Sequence, residues 1–332
     1  MVPEPRGVVV ALTPWNDPVA VACGLLGAAL VTGNTVVHKP SERCPHTGAW
    51  LGSVLSEAFP ESVLQTVQGD GSVGAELAAH PDVDVIAHVG STAAGRSIAA
   101  SAARTGAKVL LENGGNDPLV VDAGVDPVWA AQQAATGAFA NSGQICVSVE
   151  RIHVHQDVAD AFLTALVAEA GNRDLAPLVD RRHREGVHAQ VAEAIAQGAD
   201  PLVGGVLPDG PGAFYPATVL TGCTTGMRVL TEETFGPVAP VTVAADFEQA
   251  LEQAAAGEYG LAATVLTPSM AHAQRAWREL PVGTVKINNV FGGAPGGAAQ
   301  PRGASGSGYG YGPELLDEMT QTKVVHLAPP GS

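Results

Sequence analysis

The sequence predicts an α/β protein built on a parallel sheet with helices on both faces. Three observations carry this. Apolar β-branched runs alternate with helix-length segments from Gly7 to Leu111, the order that a doubly covered parallel sheet requires. Polar or glycine residues follow the strand-like runs, where open α/β sheets bind their ligands. The 332 residues are 46% hydrophobic and 15% charged, enough apolar surface for two domains or one large one.

The elements follow in order. Gly7 to Leu12 reads as a strand, and its β-branched run is the reason. Thr13-Pro14-Trp15-Asn16-Asp17-Pro18 breaks it, and Pro18 fits the first turn of a helix reaching about Val31. Gly33-Asn34 closes that helix, as residues tolerant of left-handed backbone do. Thr35 to His38 is the second strand, with Lys39-Pro40-Ser41-Glu42 as the loop at its end. A helix from about His46 to Phe59 stops at Pro60, and Val63 to Val67 is the third strand. Gly69-Asp70-Gly71 turns into a short helix, Ser72 to His80. Strand Asp84 to Val89, loop Gly90-Ser91-Thr92, helix Ala93 to Arg104 and strand Lys108 to Leu111 complete the alternation. Asn16, Lys39, Glu42, Gly69, Ser91 and Glu112 all follow a strand and gather on one rim.

The second half is less regular. Pro127 to Phe139, Asp157 to Ala170, Arg181 to Ala199, Phe247 to Gly257 and Pro268 to Leu280 read as helices. Ile152 to His155, Val238 to Val243, Leu261 to Leu266 and Val282 to Ile287 read as strands. Gly292 to Gly312 has linker-like composition, and Lys323 to Leu327 is a short last strand.

A net charge of −16 opposes binding to nucleic acid and to anionic membranes. The four cysteines form no CxxC pair, which places the chain in a reducing cytoplasm. The start lacks a signal peptide's layout, and Pro18 to Val31 is too short to span a bilayer. The ten histidines show no metal spacing; His153 and His155 share a strand face and read as surface residues.

Phe139 to Arg151 reads F-A-N-S-G-Q-I-C-V-S-V-E-R, a helix end, a turn and then a strand. Backbone N–H groups at such a junction lower a thiol pKa, so Cys146 is a candidate nucleophile; a small buried hydrophobe is the other reading. Gly69-x-Gly71-x-x-Gly74 has the dinucleotide form without a well-placed acid for the ribose. Ser91 offers either a phosphate contact or an ordinary N-cap. Glu112 is either a general base or a solvated strand end.

Taken together the motifs resemble the aldehyde dehydrogenase superfamily. They are T-P-W-N at Thr13 to Asn16, K-P-S-E at Lys39 to Glu42, G-S-T-x-x-G at Gly90 to Gly95 and L-E-N-G-G-N at Leu111 to Asn116. G-Q-I-C at Gly143 to Cys146, E-E-T-F-G-P at Glu232 to Pro237, G-T-V-K-I-N at Gly283 to Asn288 and S-G-S-G at Ser305 to Gly308 continue in the family's order. The resemblance covers essentially the whole chain. It implies a Rossmann-type cofactor domain at 1–112, an α/β catalytic domain at 113–300, and a return to the cofactor domain with an oligomerisation strand at 301–332.

The resemblance also implies the chemistry. Cys146 matches the nucleophile, Asn16 the oxyanion donor and Glu112 the base that activates water. Trp15, Lys39, Glu42, Gly69, Gly90, Ser91, Glu233 and Phe235 match cofactor-side residues. Lys39 and Glu42 fall to the adenosine ribose, Ser91 to the pyrophosphate and Glu233 to the nicotinamide ribose. The expected cofactor is NAD in preference to NADP, with a small aldehyde as substrate and no metal. A homodimer or higher homo-oligomer is expected.

Four departures stand out. Asp17 replaces an aromatic or apolar residue, Ala87-His88-Val89 a more typical aromatic, and Tyr309-Gly310 the usual Arg-Glu. The long segment that normally precedes T-P-W-N is missing, so the expectation is a truncated member with a partly bare sheet. A catalytically impaired remnant acting as an assembly subunit is the alternative.

Overall fold

The structure, a computed structural model, describes residues 1–292 and 300–331. It has two compact units: Met1–Asn113 with the residues from Gly306 onward, and residues 114–292 with Pro301–Ser305.

The first unit opens with β1 (Val2–Pro5), β2 (Val8–Thr13), α1 (Ala20–Val31), β3 (Thr35–Pro40), α2 (Pro45–Ser56) and β4 (Leu64–Thr66). It continues through α3 (Gly71–Ala78), β5 (Val85–Val89), α4 (Thr92–Thr105) and β6 (Lys108–Glu112). The second holds β7 (Asp117–Val121), α5 (Pro127–Phe139), β8 (Val149–His155), α6 (Gln156–Gly171), α7 (Arg181–Ala196), β9 (Asp200–Val203), β10 (Thr218–Thr221) and α8 (Arg228–Thr231). There follow β11 (Val238–Ala244), α9 (Phe247–Ala255), β12 (Tyr259–Gly260), β13 (Ala262–Leu266), α10 (Met270–Glu279), β14 (Thr284–Ile287) and β15 (Arg302–Gly303). The chain returns to the first unit with β16 (Gly306–Ser307), α11 (Glu314–Glu318) and β17 (Thr320–Lys323).

In the first unit the strand order is β16-β6-β5-β2-β3-β4. Strands β6, β5, β2, β3 and β4 are parallel and β16 joins antiparallel at the edge. Alternate residues face opposite sides. Val9, Ala11, Val85 and Ala87 pack on Leu25 and Leu26 of α1, Leu51 of α2 and Leu315 of α11. Val10, Leu12 and Ile86 pack on Ala78 of α3 and on Ile98 and Ala102 of α4. Both faces are therefore covered by this chain, which corrects the expectation of a bare face. An apolar groove of about 300 Å³ lies along α1 and the end of α2, lined by Cys23, Leu26, Leu30, Val31, Leu55 and Phe59.

The second unit is more regular than its sequence suggests. Seven strands run β14-β13-β7-β8-β11-β10-β9, all parallel except β9. Strands β7, β9 and β10 escape the sequence reading.

Several boundaries are corrected. Pro18 sits in a turn rather than in the first turn of the helix, and α1 starts at Ala20 with no side-chain cap from Asp17 or any other residue. Lys39 and Pro40 belong to β3 rather than to the following loop. The last strand is Thr320–Lys323, not Lys323 to Leu327, and it pairs antiparallel with β1. His153 is buried and hydrogen-bonds Thr242 Oγ1 at 2.7 Å, because β8 lies inside the sheet. Part of the glycine-rich stretch, 293–299, lies outside the described residues. Its described remainder holds β15 and β16.

Candidate active site

Cys146 stands in a turn between α5 and β8. α5 ends where Asn141, Ser142 and Gly143 take left-handed backbone, with φ of 48°, 57° and 73°. Such backbone in three consecutive residues, two of them not glycine, is uncommon and is held by its surroundings. Ser142 Oγ donates to Ala176 O at 2.6 Å, and Gln144 Oε1 accepts from Val179 N at 2.8 Å. Gly143 is packed so tightly that a Cβ would lie 2.1 Å from Gly236 O. Behind the cysteine, a Cβ on Gly115 would lie 2.6 Å from the Cys146 carbonyl. The turn closes with Ser148 N donating to Ile145 O at 2.9 Å.

The E-E-T-F segment forms the second part. Its backbone is clamped by side chains from β8, α7 and the loop after β6. Glu150 of β8 accepts from Thr234 N at 2.9 Å and from Phe235 N at 2.7 Å. Asn116 Nδ2 donates to Glu150 Oε2 and to Glu232 O, each at 3.2 Å. Gln190 of α7 donates to Glu233 O at 3.1 Å, and His183 Nε2 donates to Phe235 O at 2.7 Å. Phe235 is thereby held at a φ of 52°. Glu233 Oε1 accepts from Gly115 N at 3.0 Å, and a Cβ on Gly114 would lie 2.1 Å from its Oε2. The two glycines of L-E-N-G-G-N therefore have separate reasons: Gly114 admits Glu233 and Gly115 admits Cys146.

Charge accumulates beneath this surface. Burial raises the carboxyl pKa values of Asp117, Glu150 and Glu233, and Glu150 and Asp117 each push Glu233 up further. Two buried cations answer them. Arg151 donates to Asn116 O at 2.8 Å and to the end of α9. Lys286 of β14 donates to Val290 O at 2.8 Å. Burial lowers the Lys286 pKa, while the Asp117 carboxylate and the Cys146 thiolate favour its charged form. An ammonium that is favoured by the thiolate favours the thiolate in return.

The first unit gathers a different set. Lys39, buried in β3, reaches Glu42 Oε2 at 3.5 Å, and the Glu42 side chain is half exposed. Arg43 lies over the Trp15 ring at 5.7 Å. Asn16 sits in the turn after β2. Ser91 is the N-cap of α4, its Oγ accepting from Ala94 N at 3.4 Å. Gly90 lets His88 approach; a Cβ there would lie 2.6 Å from the ring, and burial pushes the His88 pKa down to about 4. The Gly-x-Gly-x-x-Gly helix, α3, is capped by Asp70, which accepts from Ser72 N at 2.9 Å. A carboxylate there repels a phosphate, so the neutral start of α4 is the better anion site. Gly69 is glycine for a local reason: a Cβ would lie 2.4 Å from Val73 Cγ2.

Glu112 is the last residue of β6. Its Oε1 is buried without a hydrogen-bond partner. Burial pushes the carboxyl pKa up to about 7, opposed by the Gly310 N–H.

Within the first unit, then, Lys39 pairs with Glu42, and Arg43 beside it lies over Trp15. In the second unit Cys146, Glu233 and Phe235 sit on one packed framework. Sequence reasoning missed that framework: Glu150, Asn116, Gln190, His183, Asp117 and Lys286. A signal existed for one of them, because Lys286 stands between Val285 and Ile287 in β14. Among the described residues no cluster of acidic, histidine and cysteine side chains is placed to hold a metal ion. No described helix is long and apolar enough to cross a membrane.

A parallel Rossmann-type sheet followed by a second α/β unit with a cysteine on a tight turn defines the class. The chain belongs to the aldehyde dehydrogenase family, whose model it matches over residues 1–325. It is 37% identical over 342 residues to the mitochondrial aldehyde dehydrogenase of Leishmania tarentolae, covering 98% of this chain and 68% of that one. It is also 37% identical over 306 residues to 2-hydroxymuconic semialdehyde dehydrogenase of Pseudomonas sp. (strain CF600), covering 87% of this chain and 63% of that one. Betaine aldehyde dehydrogenase of Staphylococcus aureus, solved in complex with NAD+, superposes with a TM-score of 0.93 at 33% identity, covering 97% of this chain and 67% of that one. The chain thus spans about two thirds of the length of the relatives it matches.

Proposed function

We propose that this chain oxidises an aldehyde to the carboxylic acid with NAD as the oxidant, by way of a thioester on Cys146. The observation that carries the reading is the placement of Cys146, seated on Gly115 just after the left-handed backbone of Asn141 to Gly143, with the Lys286 ammonium placed to favour its thiolate. Attack by the thiolate on the aldehyde carbon gives an oxyanion. The Asn16 amide and the Cys146 N–H are assigned to stabilise it, as oxyanion donors do. NAD, when bound, would supply the acceptor for the hydride that the carbon must lose. Glu112 then takes a proton from water, which attacks the thioester and releases the acid and the thiol.

The residues present fit the cofactor. Lys39 and Glu42 form a charged pair at the end of β3 that suits a ribose diol. The neutral N-cap at Ser91 leaves the first N–H groups of α4 for a diphosphate. Glu233 is assigned to the second ribose and Phe235 to the ring beside it. The first unit is thus the cofactor domain and the second the catalytic one, in a cytoplasmic homo-oligomer.

The test is NADH formation by the purified chain over a panel of aldehydes. Cys146→Ala should abolish turnover while cofactor binding persists; unchanged turnover in that variant removes the mechanism.

A further inference from the structure

Tyr309 and Gly310 follow β16 in the first unit. Tyr309 N donates to Glu318 Oε1 at 3.2 Å, and Glu318 in turn is paired with Lys108 at the start of β6. The turn is thus tied to both α11 and β6. Gly310 faces the other end of the same strand. A Cβ at this position would lie 2.3 Å from Glu112 Cδ and 2.4 Å from its Cγ and Oε1. Side-chain atoms do not approach that closely. Gly310 lies outside the left-handed region of backbone, so an alanine would be accepted by the main chain.

We propose that Gly310 is the seat of Glu112: the missing side chain at 310 is what allows the carboxyl group to fold back against this turn. Gly310 is therefore a positioning residue for the group assigned as the general base. The proposal deepens the function above and rests on it for its catalytic consequence, though not for its geometry. A side chain at 310 and the Glu112 carboxyl compete for one space, and the carboxyl is the movable party. It would swing to a wetter position, where the ionised form costs less.

The titratable groups on the elements around Glu112 are His88 on β5, Lys108 on β6, Arg96 and Arg104 on α4, Glu314, Asp317 and Glu318 on α11, and Tyr309 and Tyr311 in the turn. None contributes to its shift, which comes from burial against the Gly310 N–H. The sign follows. A carboxyl whose folded pKa lies near 7 binds its proton more tightly folded than unfolded. Its presence therefore lowers stability as pH rises through the range between the two pKa values, and the loss is complete above the folded one.

The experiment compares wild type, Glu112→Gln, Gly310→Ala and the double variant by thermal unfolding from pH 5 to pH 9. Glu112→Gln should raise the midpoint progressively between pH 5 and pH 8 in the wild-type background. In the Gly310→Ala background that growth should be lost. Equal growth in both backgrounds overturns the seat, whatever the activity. The acid limb of kcat should also move down by about one pH unit in Gly310→Ala, with the aldehyde KM unchanged. An inactive Glu112→Gln with equal growth in both backgrounds sinks the seat alone; an active Glu112→Gln sinks the base alone. Should Gly310→Ala fail to fold, Glu318→Gln loosens the same turn and should shrink the growth; undiminished growth there also overturns the proposal.

Discussion

At the residue scale the account turns on two titrating groups. Cys44 and Cys223 are held back by burial, which raises both thiols, and Cys223 reaches about 11. Cys23 is exposed on α1 and serves as the internal control. Cys146 should be the fastest of the four to react with iodoacetamide near pH 7, followed by peptide mass mapping. Lys286→Met should slow that reaction severalfold, because the ammonium that favours the thiolate is gone; an unchanged rate would detach Lys286 from the thiol. Glu42 sets a third outcome. Its carboxylate accepts from a ribose 2′-hydroxyl but repels a 2′-phosphate, and Arg43, which could offset that repulsion, is placed over Trp15. NAD should give the higher kcat/KM. Equal use of NADP would show that Glu42 points elsewhere. Asp17 is exposed and does not cap α1; its negative charge should disfavour substrates that carry a carboxylate, and a preference for a semialdehyde over an aliphatic aldehyde of similar length would reject this.

At the element scale the E-E-T-F loop owes its shape to side chains distant in sequence. Glu150 alone holds two of its backbone N–H groups. Glu150→Gln turns an acceptor pair into a half donor and leaves one N–H facing an NH2 group. It should raise the KM for NAD about tenfold or more, since a lost charge-assisted hydrogen bond is worth about 1.5–3 kcal/mol; an unchanged KM would mean the loop shapes itself. This framework was only partly legible in the sequence. Turn formers at Asn141 to Gly143 announced a bend before Cys146, and Pro127 to Phe139 announced α5 with its limits intact. Asp117–Val121 hid as a strand because its acid and proline break the usual pattern, although Asp117 is buried and accepts from Ala262 N. His153 departs from the surface reading because alternation suggests one wet face, whereas β8 is buried on both sides. β1 was invisible because Val2–Pro5 carries two prolines and pairs only with β17, more than three hundred residues away.

At the scale of the whole molecule, the β1–β17 ribbon is a two-stranded sheet. Such a ribbon is marginal by itself and its outer edges invite a neighbour. Sedimentation at micromolar concentration should therefore show a dimer or larger species; a monomer at every concentration would contradict the proposed assembly. The central claim, a thioester on Cys146 released by Glu112, has a more direct measurement. Glu112→Gln, mixed with NAD and an aldehyde that the wild type oxidises, is quenched and its peptides are weighed. The account predicts one burst of NADH per active site, with the acyl mass on the peptide containing Cys146. Steady turnover with no acyl adduct, or an adduct on Cys23, Cys44 or Cys223, would contradict it.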